Sequence, residues 1–91
     1  MYAWLITRDR VSDEQDRGTI GPHGCPLTSD EITAVGIPFR MLSDDGEPFY
    51  EGLYTGPDDE TLFAPLDDFG MPNAGATVIQ YRNAAGEWEA L

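Results

Sequence analysis

Three adjacent acid pairs, Asp44-Asp45, Asp58-Asp59 and Asp67-Asp68, are the residues of this 91-residue chain whose type and spacing most invite chemistry. Paired carboxylates act as acid and base when burial raises the pKa of one of them. They hold calcium when an EF-hand loop spaces them as D-x-[DN]-x-[DN]-G and closes on Glu at position twelve. Neither Asp44-Asp45-Gly46 nor Asp58-Asp59-Glu60 has that spacing, so no metal is expected. Each pair stands at or near a Gly or Pro, where Asp favours turns by bonding to nearby backbone. The pairs therefore read as solvent-exposed turn tips, and no catalytic residue is expected among them.

Two other constellations come to the same end. His23 and Cys25 lie two apart between glycines, but a closed zinc site wants about four ligands and a nucleophilic Cys wants a positioned base. Gly18-x-x-Gly21-x-x-Gly24 has the look of a phosphate loop, yet it lacks the Walker lysine and no helix opens directly from it. No enzyme and no cofactor are expected.

What remains is the acidity itself. The chain has 17 Asp and Glu against five Arg and no Lys, a formal net charge of −12. Residues 1–29 are nearly balanced, whereas residues 30–91 hold thirteen acids against only Arg40 and Arg82. A domain this negative repels nucleic acid and anionic membranes and attracts basic surfaces, over a range of roughly 10 Å at 0.1 M salt. The partner surface is thus expected at Asp44, Asp45, Glu47, Asp58, Asp59, Glu60, Asp67 and Asp68. Tyr50 and Tyr54 are expected beside them as exposed aromatics that slow dissociation.

The elements that must position these acids follow from periodicity and punctuation. A chain 41% hydrophobic with ten aromatic residues is too apolar for a disordered acidic tail, and its length suits a single domain spanning residues 1–91. Tyr2 to Thr7 reads as a central strand, apolar on both faces. Arg8 to Pro26 reads as one long loop, because three glycines and two prolines interrupt it. Thr28-Ser29-Asp30-Glu31 is a capping box, with Leu27 and Ile32 as the hydrophobic staple. The short helix it opens should end near Val35, with Gly36 in the left-handed C′ position.

Ile37–Ser43 and Glu47–Tyr54 form a hairpin around Asp44-Asp45-Gly46. Thr61–Phe63 is an edge strand or a single helical turn, and Pro65–Asn73 is a brief helix capped by Gly70. Ala76–Arg82 and Glu87–Leu91 make a closing hairpin around Asn83-Ala84-Ala85-Gly86. The predicted fold is α+β, with about five mostly antiparallel strands and one or two short helices. The lone Cys25 permits no intramolecular disulfide. With no basic leader before Tyr2-Ala3-Trp4-Leu5-Ile6 and no apolar run of membrane-spanning length, a cytoplasmic protein is expected.

Met1 to Thr7, Gly18-Thr19-Ile20-Gly21-Pro22, the Phe39-Arg40-Met41 to Glu51-Gly52 hairpin and Asp67-Asp68-Phe69-Gly70-Met71-Pro72 together resemble short acidic proteins of unknown function from actinobacterial phages and mobile elements. In size and charge the chain is also similar to anti-CRISPR and anti-restriction inhibitors that mimic DNA. That likeness implies a non-enzymatic inhibitor docking on the basic nucleic-acid-binding surface of a host defence complex. The alternatives are an immunity or antitoxin protein neutralising a basic nuclease, and a small regulatory module with no mimicry.

Overall fold

The computed structural model describes residues 2–11 and 15–91. Six strands form one antiparallel sheet: β1 Ala3–Asp9, β2 Gln15–Gly21, β3 Ile37–Leu42, β4 Pro48–Thr55, β5 Val78–Arg82 and β6 Trp88–Ala90. Their order across the sheet is β2-β1-β4-β3-β5-β6. The helix α1 covers Ser29–Val35 and the short α2 covers Met71–Ala74. The fold is α+β as the sequence predicts, with one strand more.

Both predicted hairpins form. At the β3–β4 turn the Ser43 and Glu47 backbones bond at 2.9 Å, and the Ser43 hydroxyl accepts from the amides of Asp45 and Glu47. Gly46 takes φ +83°, the left-handed conformation such a turn needs. Asn83 organises the β5–β6 turn the same way, its side chain accepting from the amides of Ala85 and Glu87.

The stretch predicted as one loop from Arg8 to Pro26 is corrected by β2, which pairs antiparallel with β1 from Trp4↔Gly21 to Arg8↔Gln15. The free edge of β1 offers hydrogen bonds that outweigh the poor strand propensity of the glycines, a tertiary effect invisible to local pattern. Gly21 itself is required, since a Cβ there would stand 2.0 Å from the Trp4 ring. The part of that predicted loop at Ser12–Glu14 lies outside the described residues.

Two caps are also corrected. Gly36 is extended, at φ −71° and ψ 148°. It is glycine because a Cβ would meet the Ile32 carbonyl at 2.7 Å and Leu53 at 2.9 Å. Gly70 does not end the second helical stretch: a π-type turn over Leu66–Gly70 runs on into α2, and Gly75 at φ +71° stops it. Of the two readings of Thr61–Phe63, the helical one holds, within a 3₁₀ turn over Glu60–Phe63.

The sheet has two unlike faces. On the front, Trp4, Ile6, Phe39, Met41, Tyr50, Tyr54, Ile79 and Tyr81 are buried beneath residues 60–76, with Ala64, Leu66 and Ala76 in the same core. Phe69 seats that segment between Trp4 and Tyr50, with ring centroids 5.6 and 4.8 Å away. On the back, α1 packs Ile32 against Ala3 and Leu5, with Leu27 and Leu53 alongside.

The capping box is complete, since the Thr28 hydroxyl accepts from the Glu31 amide at 3.2 Å and the Glu31 carboxylate from the Thr28 amide at 3.0 Å. Thr28→Ala is expected to cost about 1 kcal/mol. For a domain of this size that lowers the thermal midpoint by roughly 4–8 °C, readable by circular dichroism.

Candidate functional site

All eight acids singled out in the sequence are exposed. Asp44, Asp45 and Glu47 lie at the start of β4, whereas Asp58, Asp59 and Glu60 follow its end, roughly 23 Å away at 3.3 Å per residue. Asp67 and Asp68 lie in the π-type turn that Phe69 seats on the front face, with Asp68 in the cleft beside Tyr2, Trp4 and His23. The eight form no single cluster but three separate stations. Residues 43–47 and 56–75 hold these eight acids and no basic residue.

Two of the eight have structural work. The Asp59 carboxylate caps the 3₁₀ turn, accepting from the Thr61 amide at 2.8 Å and the Thr61 hydroxyl at 2.6 Å. Those bonds favour its charged form and hold its pKa below the ordinary carboxylate value. Asp44 accepts a hydrogen bond from the Thr77 hydroxyl, tying the β3–β4 turn to the approach to β5.

Tyr50 and Tyr54 are not the exposed aromatics expected, being 3% and 1% exposed. Strand parity places them with Gly52 on the covered front face, and burial raises both pKa values. The exposed apolar groups among the acids are Phe63 and Met71, at 40% and 49% exposure.

The back face has a different character, which the sequence reading did not anticipate. Register aligns Arg8↔Glu51, Glu51↔Arg40 and Arg40↔Gln80, so these four side chains share one row across β1, β4, β3 and β5. Arg82↔Trp88 lies beside that row. Arg40 Nε donates to Gln80 Oε1 at 2.7 Å, and its guanidinium carbon sits 4.5 Å from the centre of the Trp88 ring. The Arg82 guanidinium stands 5.7 Å from the same ring. Arg10 pairs with Glu51 at 2.7 Å. Both partners are partly exposed, so it adds at most about 1 kcal/mol. The available signal was strand parity: Arg40 alternates with the buried Phe39 and Met41, and Arg82 with Tyr81.

His23 and Asp68 line an open cleft of about 590 Å³ with Tyr2, Pro22 and Trp4, whose buried indole Nε1 has no hydrogen-bond partner. The cleft presents an imidazole, a carboxylate and the Tyr2 phenol, and none of its lining residues is Ser, Thr or Cys. Cys25 is packed with the back core, and its sulfur accepts from the Leu27 amide at 3.4 Å. Among the described residues no group of three or more His, Cys, Asp or Glu is placed to hold a metal ion. Among the described residues no helix is long and apolar enough to cross a membrane. Comparison with known protein families, with curated proteins and with solved structures finds no match in any of the three.

Proposed function

We propose that this is a non-enzymatic binding protein that acts in the cytoplasm by setting its acidic front against the basic nucleic-acid-binding surface of another protein, as anti-CRISPR and anti-restriction inhibitors do. The observation that carries this reading is the charge segregation. Eight exposed acids with no intervening basic residue lie in two stretches at the ends and front of the sheet, whereas Arg8, Arg40 and Arg82 sit on the back. Charge of one sign along a surface steers a basic partner and speeds association, and exposed apolar groups within it slow release. Phe63 and Met71 take the anchoring role.

The acids to test are those free of structural work. The triple substitution Glu60→Lys, Asp67→Lys, Asp68→Lys leaves the Asp59 cap and the Asp44–Thr77 bond intact. Capture of partners from the source host by the immobilised protein is expected to be strong at low salt, reduced at high salt and lost in the triple variant, whose circular dichroism stays that of the parent. The affinity loss is expected to exceed about tenfold. Equal capture by the parent and a folded triple variant overturns the reading.

A further inference from the structure

We propose that the arginine face of one copy of this chain receives the acidic front of another, so that the protein self-associates head to tail. The inference stands apart from any basic partner, because it is tested on the purified protein alone.

Arg40 and Arg82 are the only basic residues after residue 29 in a chain with 17 acids, yet neither pairs with a carboxylate among the described residues. Each is instead held through Nε, Arg40 by Gln80 Oε1 at 2.7 Å and Arg82 by the Gly86 carbonyl at 3.3 Å, and both lie against Trp88. The terminal nitrogens of both guanidinium forks are left for an external acceptor. A fork fixed in this way binds a carboxylate through two parallel hydrogen bonds and loses little side-chain freedom in doing so. The surface is also open, since α1 packs on β1 and β4 and leaves the β3, β5 and β6 part of the back uncovered.

The complement is on the same molecule. The front offers the carboxylates of Glu60, Asp67 and Asp68 with Phe63 and Met71 exposed among them, matching guanidinium forks set around an aromatic ring. Because donor and acceptor surfaces lie on opposite sides of one sheet, the contact is heterologous. It does not close on a two-fold axis, and copies add in open chains. Two molecules at −12 also repel each other at long range. That net repulsion is screened beyond roughly 10 Å at 0.1 M salt while close pairs are affected less. Association is therefore weak at the lowest salt, strongest at intermediate salt and lost at high salt. It also hides the acidic front, so a basic partner competes with it.

Sedimentation velocity of the full chain, over a concentration series at three salt levels, tests this. The expected result is a sedimentation coefficient that rises with concentration, most steeply at intermediate salt. The R40E/R82E variant and the E60K/D67K/D68K variant, each checked for fold by circular dichroism, are expected to remain monomeric alone. Mixed in equal amounts they associate again, because the acidic front of the first meets the intact arginines of the second and the two reversed surfaces are complementary to each other. A parent protein monomeric at every concentration and salt overturns the proposal. So does a folded variant of either kind that associates like the parent, or a mixture of the two that stays monomeric. Binding of polyglutamate or a single-stranded DNA oligonucleotide to a monomeric parent, lost in R40E/R82E, assigns the face to another occupant.

Discussion

Gly52→Ala is expected to cost at least about 3 kcal/mol, enough to leave a large unfolded fraction in a domain of ordinary stability. The position is extended strand in the middle of the sheet, paired with both Ile6 and Phe39. An added Cβ would stand 2.2 Å from the Leu5 carbonyl oxygen and 2.5 Å from the Phe39 ring. Backbone of a neighbouring strand cannot swing away as a flexible side chain does, so relief requires β1 and β4 to separate. Phe39 cannot move without vacating the space it fills over Gly52 in the front core. Urea unfolding monitored by circular dichroism gives the midpoint. Gly46→Ala is the control: its φ of +83° carries a conformational cost of about 1–2 kcal/mol, but nothing lies within 4 Å of the new methyl. Equal midpoints for the two variants would show that the close approach of β1 and β4 is not as described.

Raising the pH above 10 is expected to unfold the protein steeply. The Tyr81 hydroxyl donates to the Leu62 carbonyl at 2.7 Å beneath the 3₁₀ turn, and burial pushes its pKa far above the usual phenol value. Tyr54 bonds to the Pro57 carbonyl and the Thr61 hydroxyl and is shifted the same way, as is Tyr50. Below pH 10 these tyrosines are protonated in both folded and unfolded chains and add no pH dependence. Above it the unfolded chain releases their protons while the folded one keeps them, so stability falls as pH rises. Phenolate absorbance and circular dichroism followed together should change in one transition. Tyr81→Phe is expected to cost about 1 kcal/mol at neutral pH through the lost bond to Leu62, and to flatten the alkaline limb by removing its largest contributor. Ionisation of the buried tyrosines ahead of any loss of secondary structure would sink this account.

The elements readable from sequence were those specified by neighbours in the chain. Thr28 with Glu31, Gly46 after Asp44-Asp45, and Asn83 with Gly86 each encode a local backbone bond, and each forms. β2 was not readable, because its pairing depends on the exposed edge of a strand several residues away and its glycines argue the other way. Tyr50 and Tyr54 were misplaced for a related reason. Both faces of β4 carry large side chains, and only the path of residues 60–76 decides which face is covered. The acids were legible as exposed turn residues, but their arrangement in three stations was not. The row of Arg8, Glu51, Arg40 and Gln80 was the least accessible feature, since four strands contribute one residue each and only the β1-β4-β3-β5 order juxtaposes them.

The seating of the front segment by Phe69 has a consequence for how such a surface evolves. Attachment rests on Phe69, Leu66 and Ala64, whereas Glu60, Asp67 and Asp68 face solvent and make none of the described hydrogen bonds. Substitutions at those acids therefore change the surface charge at little cost to folding, usually within about 0.5 kcal/mol. Selection is free to redraw the charge pattern one position at a time while the aromatic seat stays unchanged. Under the proposed function, a protein built this way follows a target whose own surface is drifting without first passing through an unstable fold.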